Sequence, residues 1–102
     1  MTNGNEVRIS VLMTHPVGLH ARPSVKLTKL AKSFASRIEL AVEEDGPWID
    51  AKSIVKVMAA KAPANRLLHL RASGTDASEA VTALADLVRR DFDEGAGDAA
   101  HG

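Results

Sequence analysis

His20 lies in the densest group of chemistry-bearing residues in the chain, Gly18-Leu19-His20-Ala21-Arg22-Pro23-Ser24. Imidazole titrates near neutrality, so at pH 7 a useful share of such rings is neutral and nucleophilic. The flanking residues read as the start of a helix. Gly18 turns the backbone without steric cost, and Pro23 suits a first turn, where its missing N–H removes no hydrogen bond. A helix start presents N–H groups and roughly half a positive charge, which together favour a phosphate or another anion. Arg22 follows the histidine by two positions and brings a planar fork of donors matched to oxyanions. The chemistry these residues support is a histidine that accepts a phosphoryl group.

Magnitudes favour a carrier over a tight binder. A helix terminus contributes about 0.3 to 1 kcal/mol and a hydrogen bond to a charged group about 1.5 to 3 kcal/mol, enough to steady a phosphate without trapping it. The sequence has no glycine-rich nucleotide loop, so phosphate must come from a donor enzyme rather than from ATP. Ser24 is a helical neighbour of His20, but no third member of a hydrolytic triad accompanies the two.

The elements that must position His20 are legible as periodicities. Val7, Ile9 and Val11, and then Ile38, Leu40 and Val42, alternate with other residues as in strands with one buried face. Turn residues Glu44-Asp45-Gly46-Pro47 precede a short return strand, Trp48 to Asp50. Leu68, Leu70 and Ala72 form one face of a fourth strand, with His69 on the other. Leu27, Leu30, Ala31 and Phe34, and likewise Val81, Leu84, Ala85 and Val88, follow helical spacing. Asp76 is the expected N-cap of the second of these helices, with Glu79 in its first turn. A shorter helix is expected from Ile54 to Ala60, capped by Ser53, with Val57 and Met58 inward and Pro63 and Asn65 beyond its end. The order predicts an α+β open-faced sandwich, a four-stranded antiparallel sheet covered on one face by three helices.

The chain's 102 residues allow one domain, expected over 1–92, with 93–102 as a mobile tail. Apolar residues make up 45% and charged residues 25%, an ordinary soluble composition. Zero cysteines remove thiolate chemistry and cysteine-held zinc. The polar start MTNGNEVRIS has no apolar run for a leader, so a cytoplasmic protein without membrane insertion is expected. Formal net charge is zero, yet Arg22 to Arg37 and Lys52 to Arg71 hold ten of the thirteen cations and no acid. Two such runs side by side would make a basic face for an acidic partner.

Gly18-Leu19-His20-Ala21-Arg22-Pro23, Lys52-Ser53-Ile54, Val57-Met58 and Ala72-Ser73-Gly74 together resemble the HPr family of histidine-containing phosphocarriers. The resemblance covers about residues 6–92 and implies the same open-faced sandwich. It implies that His20 takes a phosphoryl group from enzyme I, charged by phosphoenolpyruvate, and passes it to EIIA components of the phosphotransferase system. It further implies that Arg22 stabilises the phosphate and that an HPr serine kinase phosphorylates Ser53. The protein would then be a carrier with a phosphohistidine intermediate rather than a turnover enzyme, and no cofactor or metal is expected. Downstream acceptors for sugar transport, nitrogen control or regulation alone all fit. Ser24 stands where the family usually has alanine, and Lys56, Lys61 and Asn65 where it often has glycine. Of these, Asn65 tolerates a left-handed backbone.

Ile54, Val55 and Met58 beside Lys52 read as an apolar docking patch with a charged edge, Val55 being outermost. His15 and His69 are expected to be solvated side chains, and His101 falls in the tail. An alternative function is a regulatory binding module controlled by Ser53 phosphorylation. A nucleic-acid-binding domain is the weakest reading, because Phe34, Trp48 and Phe92 are the only aromatics for stacking. A monomer is expected.

Overall fold

The computed structural model describes residues 6–16 and 18–93. Along the chain run β1 (Glu6–Leu12), α1 (Ala21–Lys32), β2 (Arg37–Ala41), β3 (Ile49–Asp50), α2 (Ile54–Ala60), β4 (Leu67–Ser73) and α3 (Ala77–Arg89), followed by a turn, Asp91–Asp93. All strand pairs are antiparallel, in the order β1-β4-β2-β3. In that register Leu70 of β4 faces Ile9 on one side and Leu40 on the other. The period-two residues therefore share one surface. Ile38, Leu40, Leu68 and Leu70 bury it against Leu27 and Ala31 of α1, Val57 of α2 and Val81, Leu84 and Val88 of α3.

The opposite sheet face is polar. Arg71 donates to Glu39 at 2.8 Å and its guanidinium carbon lies 4.2 Å from the centre of the Trp48 ring. Trp48 stands just outside the return strand, which begins one residue later than the sequence suggests. His69, partly exposed, shares a 2.7 Å hydrogen bond with the Ser10 hydroxyl. Among the described residues no helix is long and apolar enough to cross a membrane.

Asp76 occupies the N-cap position of α3, as its place in the sequence predicts, but its carboxylate does not cap that helix. It accepts instead from the backbone N–H groups of Ala35 and Ser36, both at 2.9 Å, and from the Ser36 hydroxyl. These donors come from the connection between α1 and β2, so the side chain fastens that loop to the start of α3. Gly74 lets the two segments meet, since a Cβ there would lie 2.9 Å from the Ser36 Cα. The bond with the Ser36 hydroxyl, followed by that with the Ala35 amide, holds the Asp76 carboxyl below its ordinary value of 3.8. A carboxylate depressed in the folded state adds stability that is present above the unfolded value and is lost as pH falls through the lower folded one. We therefore expect the urea midpoint of Asp76→Asn to fall less than that of the wild type as the pH is lowered from about 5 to below the ordinary carboxylate value.

The chain's last described turn is left-handed over three residues, with φ of 53° at Asp91, 58° at Phe92 and 59° at Asp93. Such a conformation costs a non-glycine residue about 1 to 2 kcal/mol, so the surroundings must over-determine it. They do: Phe92 is fully buried, Thr14 Oγ1 donates to Asp91 at 2.5 Å, and Lys26 Nζ donates to the Phe92 carbonyl oxygen at 2.9 Å. Asp93, which the sequence assigns to the tail, accepts from Arg90 Nε at 2.9 Å. The rest of the expected tail, with His101, lies outside the described residues.

Candidate functional site

His20 is the N-cap residue of α1. Its backbone is extended, with φ −100° and ψ −161°, and its ring makes no capping hydrogen bond. Its carbonyl accepts from the Ser24 N–H at 2.9 Å, which begins the helix. The side chain is exposed at the end where a helix's first N–H groups point outward. Arg22 is exposed in that first turn, and Pro23 packs inward within it.

The loop that delivers His20 is clamped by backbone bonds. Gly18 N–H donates to the His15 carbonyl at 3.1 Å, and Leu19 N–H donates to the Ala62 carbonyl at 2.9 Å. Gly18 has a φ of 70°, and a Cβ there would overlap the Ala62 oxygen. The buried Leu19 side chain anchors the segment from below. The His20 loop thus rests on the exit of α2. That exit turns through Lys61, a left-handed C-cap with φ 51°, and through Asn65 with φ 64°. These are two of the positions where the resembled family often has glycine, and both are left-handed here without it.

His15 departs from its expected place. Rather than being solvated it is 7% exposed, with its ring centre 5.4 Å from that of His20 and 5.9 Å from that of Phe92, edge to face with the latter. The Gly18 bond folds the loop back and the left-handed terminal turn supplies the Phe92 wall. Sequence reasoning missed this neighbour of His20. The local signal available was a histidine five residues upstream of another, and the wall beside it comes from the far end of the chain.

Ser24 is wholly buried with its hydroxyl unpartnered, as is that of Thr28 one turn later. It cannot act as a nucleophile on a surface substrate. A buried hydroxyl without a partner costs about 1 to 3 kcal/mol, so Ser24→Ala should raise stability by about 1 kcal/mol, read from chemical denaturation.

Ser53 caps α2, accepting from the Lys56 N–H at 3.3 Å. Along this helix Val57 is buried, Val55 is 74% exposed and Met58 is 40% exposed. Met58, expected inward by its spacing with Val57 but outward in the apolar patch, faces out, because seven residues give one buried stripe and Val57 fills it. Ile54 is half-buried. Val55 and Met58 thus make the apolar surface on this helix. Lys52 does not border it as a free cation: its ammonium donates to the Phe34 carbonyl beyond α1 at 2.8 Å. Of the aromatics considered for stacking, Phe92 is buried and Trp48 lies under Arg71.

Residues 7–90 match the family described as "PTS HPr component phosphorylation site". The chain is 42% identical over 79 residues to phosphocarrier protein HPr of Cupriavidus necator, covering 78% of this chain and 86% of that one. It is 31% identical over 88 residues to phosphocarrier protein NPr of Escherichia coli, covering 86% and 97% respectively. The crystal structure of HPr-C-His from Thermoanaerobacter tengcongensis superposes with a TM-score of 0.79 at 33% identity, covering 86% of this chain and 97% of that one. The family match over residues 7–90, the identity to the HPr and NPr phosphocarriers and the shared fold place the chain in the HPr family of phosphocarriers of the phosphotransferase system.

Proposed function

We propose that His20 is the residue that carries the phosphoryl group, taking it from enzyme I and yielding it to an EIIA-type acceptor. The lone pair of a neutral His20 ring nitrogen forms the bond to phosphorus as the donor's bond to phosphorus breaks, and that bond's electron pair leaves with the donor. The reverse exchange releases the group to the next protein. The observation that carries this reading is the exposed His20 ring at an N-cap where it makes no hydrogen bond to its own helix. First-turn N–H groups and the Arg22 guanidinium orient the oxyanions. Exposed Lys29, Lys32, Lys56 and Lys61 supply cations on α1 and at α2 for an acidic partner face.

Incubation with phosphoenolpyruvate and enzyme I should add one acid-labile phosphoryl group, located on His20 by mass spectrometry. Absence of any such group would remove the assignment.

A second reading, regulation at Ser53 by a serine kinase, is favoured by the exposed Val55 and Met58 immediately downstream of that N-cap. A phosphate at a helix start is locally favourable, so inhibition would act on docking and not on folding. Ser53→Asp should weaken binding to enzyme I and leave the thermal midpoint within a few degrees of the wild type; unchanged affinity for enzyme I and for the acceptors would dismiss this regulation.

A further inference from the structure

We propose that the groove between β3 and α2 is a binding site for a small amphipathic monocarboxylate, with its apolar body seated between the two elements and its carboxylate held by Lys56.

The groove has a volume of about 410 Å³. Leu40 of β2 lies at its floor, with Val42, Pro47 and Ile49 on the sheet side and Ala59 and Ala60 on the helix side. Val42, Ile49 and Ala60 pack against the core yet are only half-buried, and Pro47 and Ala59 are exposed. Apolar surface therefore stays open to water here, and covering it is favourable in proportion to its area. The two alanines leave the space that a longer side chain on α2 would fill.

Size and charge choose the occupant. Small-molecule sites run from about 300 to 1,000 Å³, a range that holds this groove, whereas one side chain protruding from a docked protein leaves much of it empty. Lys56 is the cation that lines it, and its ammonium makes no hydrogen bond or ion pair among the described residues. Glu43, the acid that lines it, accepts from Arg66 Nη2 at 3.1 Å and is neutralised there. One positive charge is left over, which calls for one negative charge on an otherwise apolar ligand. Exposed Glu44 and Asp45 in the adjoining turn disfavour a second negative charge, so a carboxylate fits better than a phosphate dianion.

The walls are set before any ligand arrives. Gly46 N–H donates to the Glu43 carbonyl at 3.0 Å, Ile49 pairs with Leu40, and Trp48 is held 4.2 Å from the Arg71 guanidinium carbon. A site already formed binds without the cost of ordering a loop. Both ends of the described chain lie elsewhere: Glu6 begins β1, at the far edge of the sheet from β3, and Asp93 follows α3, which packs on β1 and β4. Val55 and Met58 do not line the groove, so the site adjoins the apolar surface of α2 without being part of it.

The test titrates the full chain with octanoate and follows backbone amides by NMR. Saturable shifts should appear at Val42, Ile49, Ala59 and Ala60. Octanol, which has the body without the charge, should bind more weakly, and acetate, which has the charge without the body, should give no saturable shift. Lys56→Met keeps an apolar stem and loses the charge; it should weaken octanoate by about twofold to fivefold, the worth of an exposed ion pair, and leave octanol unchanged. Ala59→Leu, which fills the groove from an exposed helical position, should abolish saturable binding of both. Where Ala59→Leu disturbs the fold, the comparison of octanoate with octanol on the wild type and Lys56→Met decides alone.

No saturable shift at these residues, or equal affinity for octanoate and octanol, overturns the proposal. Shifts at the same amides on concentrating the protein alone would assign the groove to a second copy. Nuclear Overhauser contacts from residues 94–102 to Val42 or Ala59 would assign it to this chain's own end. Either result overturns the proposal as well, and none of these outcomes bears on His20.

Discussion

Changing His20 to alanine is expected to give a protein that folds as before and takes up no acid-labile phosphoryl group from phosphoenolpyruvate and enzyme I. The two halves of this expectation have separate causes. The ring is exposed and makes no hydrogen bond to its helix, so its removal disturbs neither the core nor a cap. Surface changes of that kind stay within about 0.5 kcal/mol. On the reading of His20 as the nucleophile, its nearest candidates for a substitute among the described residues are withdrawn from the surface: His15 is buried behind it and Ser24 is sealed in the core. Loss of the attacking atom should therefore lower the rate by more than about a thousandfold, as with other removed nucleophiles. Mass spectrometry after acid and alkaline treatment reads the result. Charging of the alanine variant at a wild-type rate would move the phosphoryl site elsewhere.

The second large effect concerns the loop that holds that histidine. Gly18→Ala should destabilise the domain by about 3 kcal/mol, combining a left-handed backbone with steric overlap. Only glycine accommodates a φ of 70° with the Ala62 carbonyl pressed against the position of a Cβ. The loop cannot simply lift away, because Leu19 N–H is bonded to that same carbonyl at 2.9 Å. For a domain of this size the loss corresponds to a fall of about 12 to 24 °C in thermal midpoint. Calorimetry on the folded variant measures it. A midpoint within two or three degrees of the wild type would mean that the loop relaxes and that Ala62 does not constrain His20.

The strands, the helices and the placement of His20 at a helix start were all readable from local pattern. Alternation in Val7–Val11 and helical spacing in Leu27–Ala31 report which side of each element is apolar, and burial follows that side. Ser53 as a cap was readable for the same reason, since its partner lies three residues away. Asp76 was legible only by half. Its position at the start of α3 is local, but its hydrogen-bond partners are forty residues distant and outcompete its own helix. Met58 was read two ways, inward by spacing and outward in the apolar patch, because a seven-residue helix has too few turns for its spacing to define a unique inner stripe.

By itself the sequence determined the histidine motif at the start of α1, the order of elements and the sheet's buried face, because each depends on residues close together in the chain. Tertiary structure alone decided what surrounds His20. The wall beside His15 is Phe92, and the Gly18 loop lies on Ala62; both contacts close long stretches of chain. It likewise bound the Lys52 ammonium to the Phe34 carbonyl. Which distant groups meet is set by how three helices pack on one twisted sheet, and no periodicity within a single element encodes that.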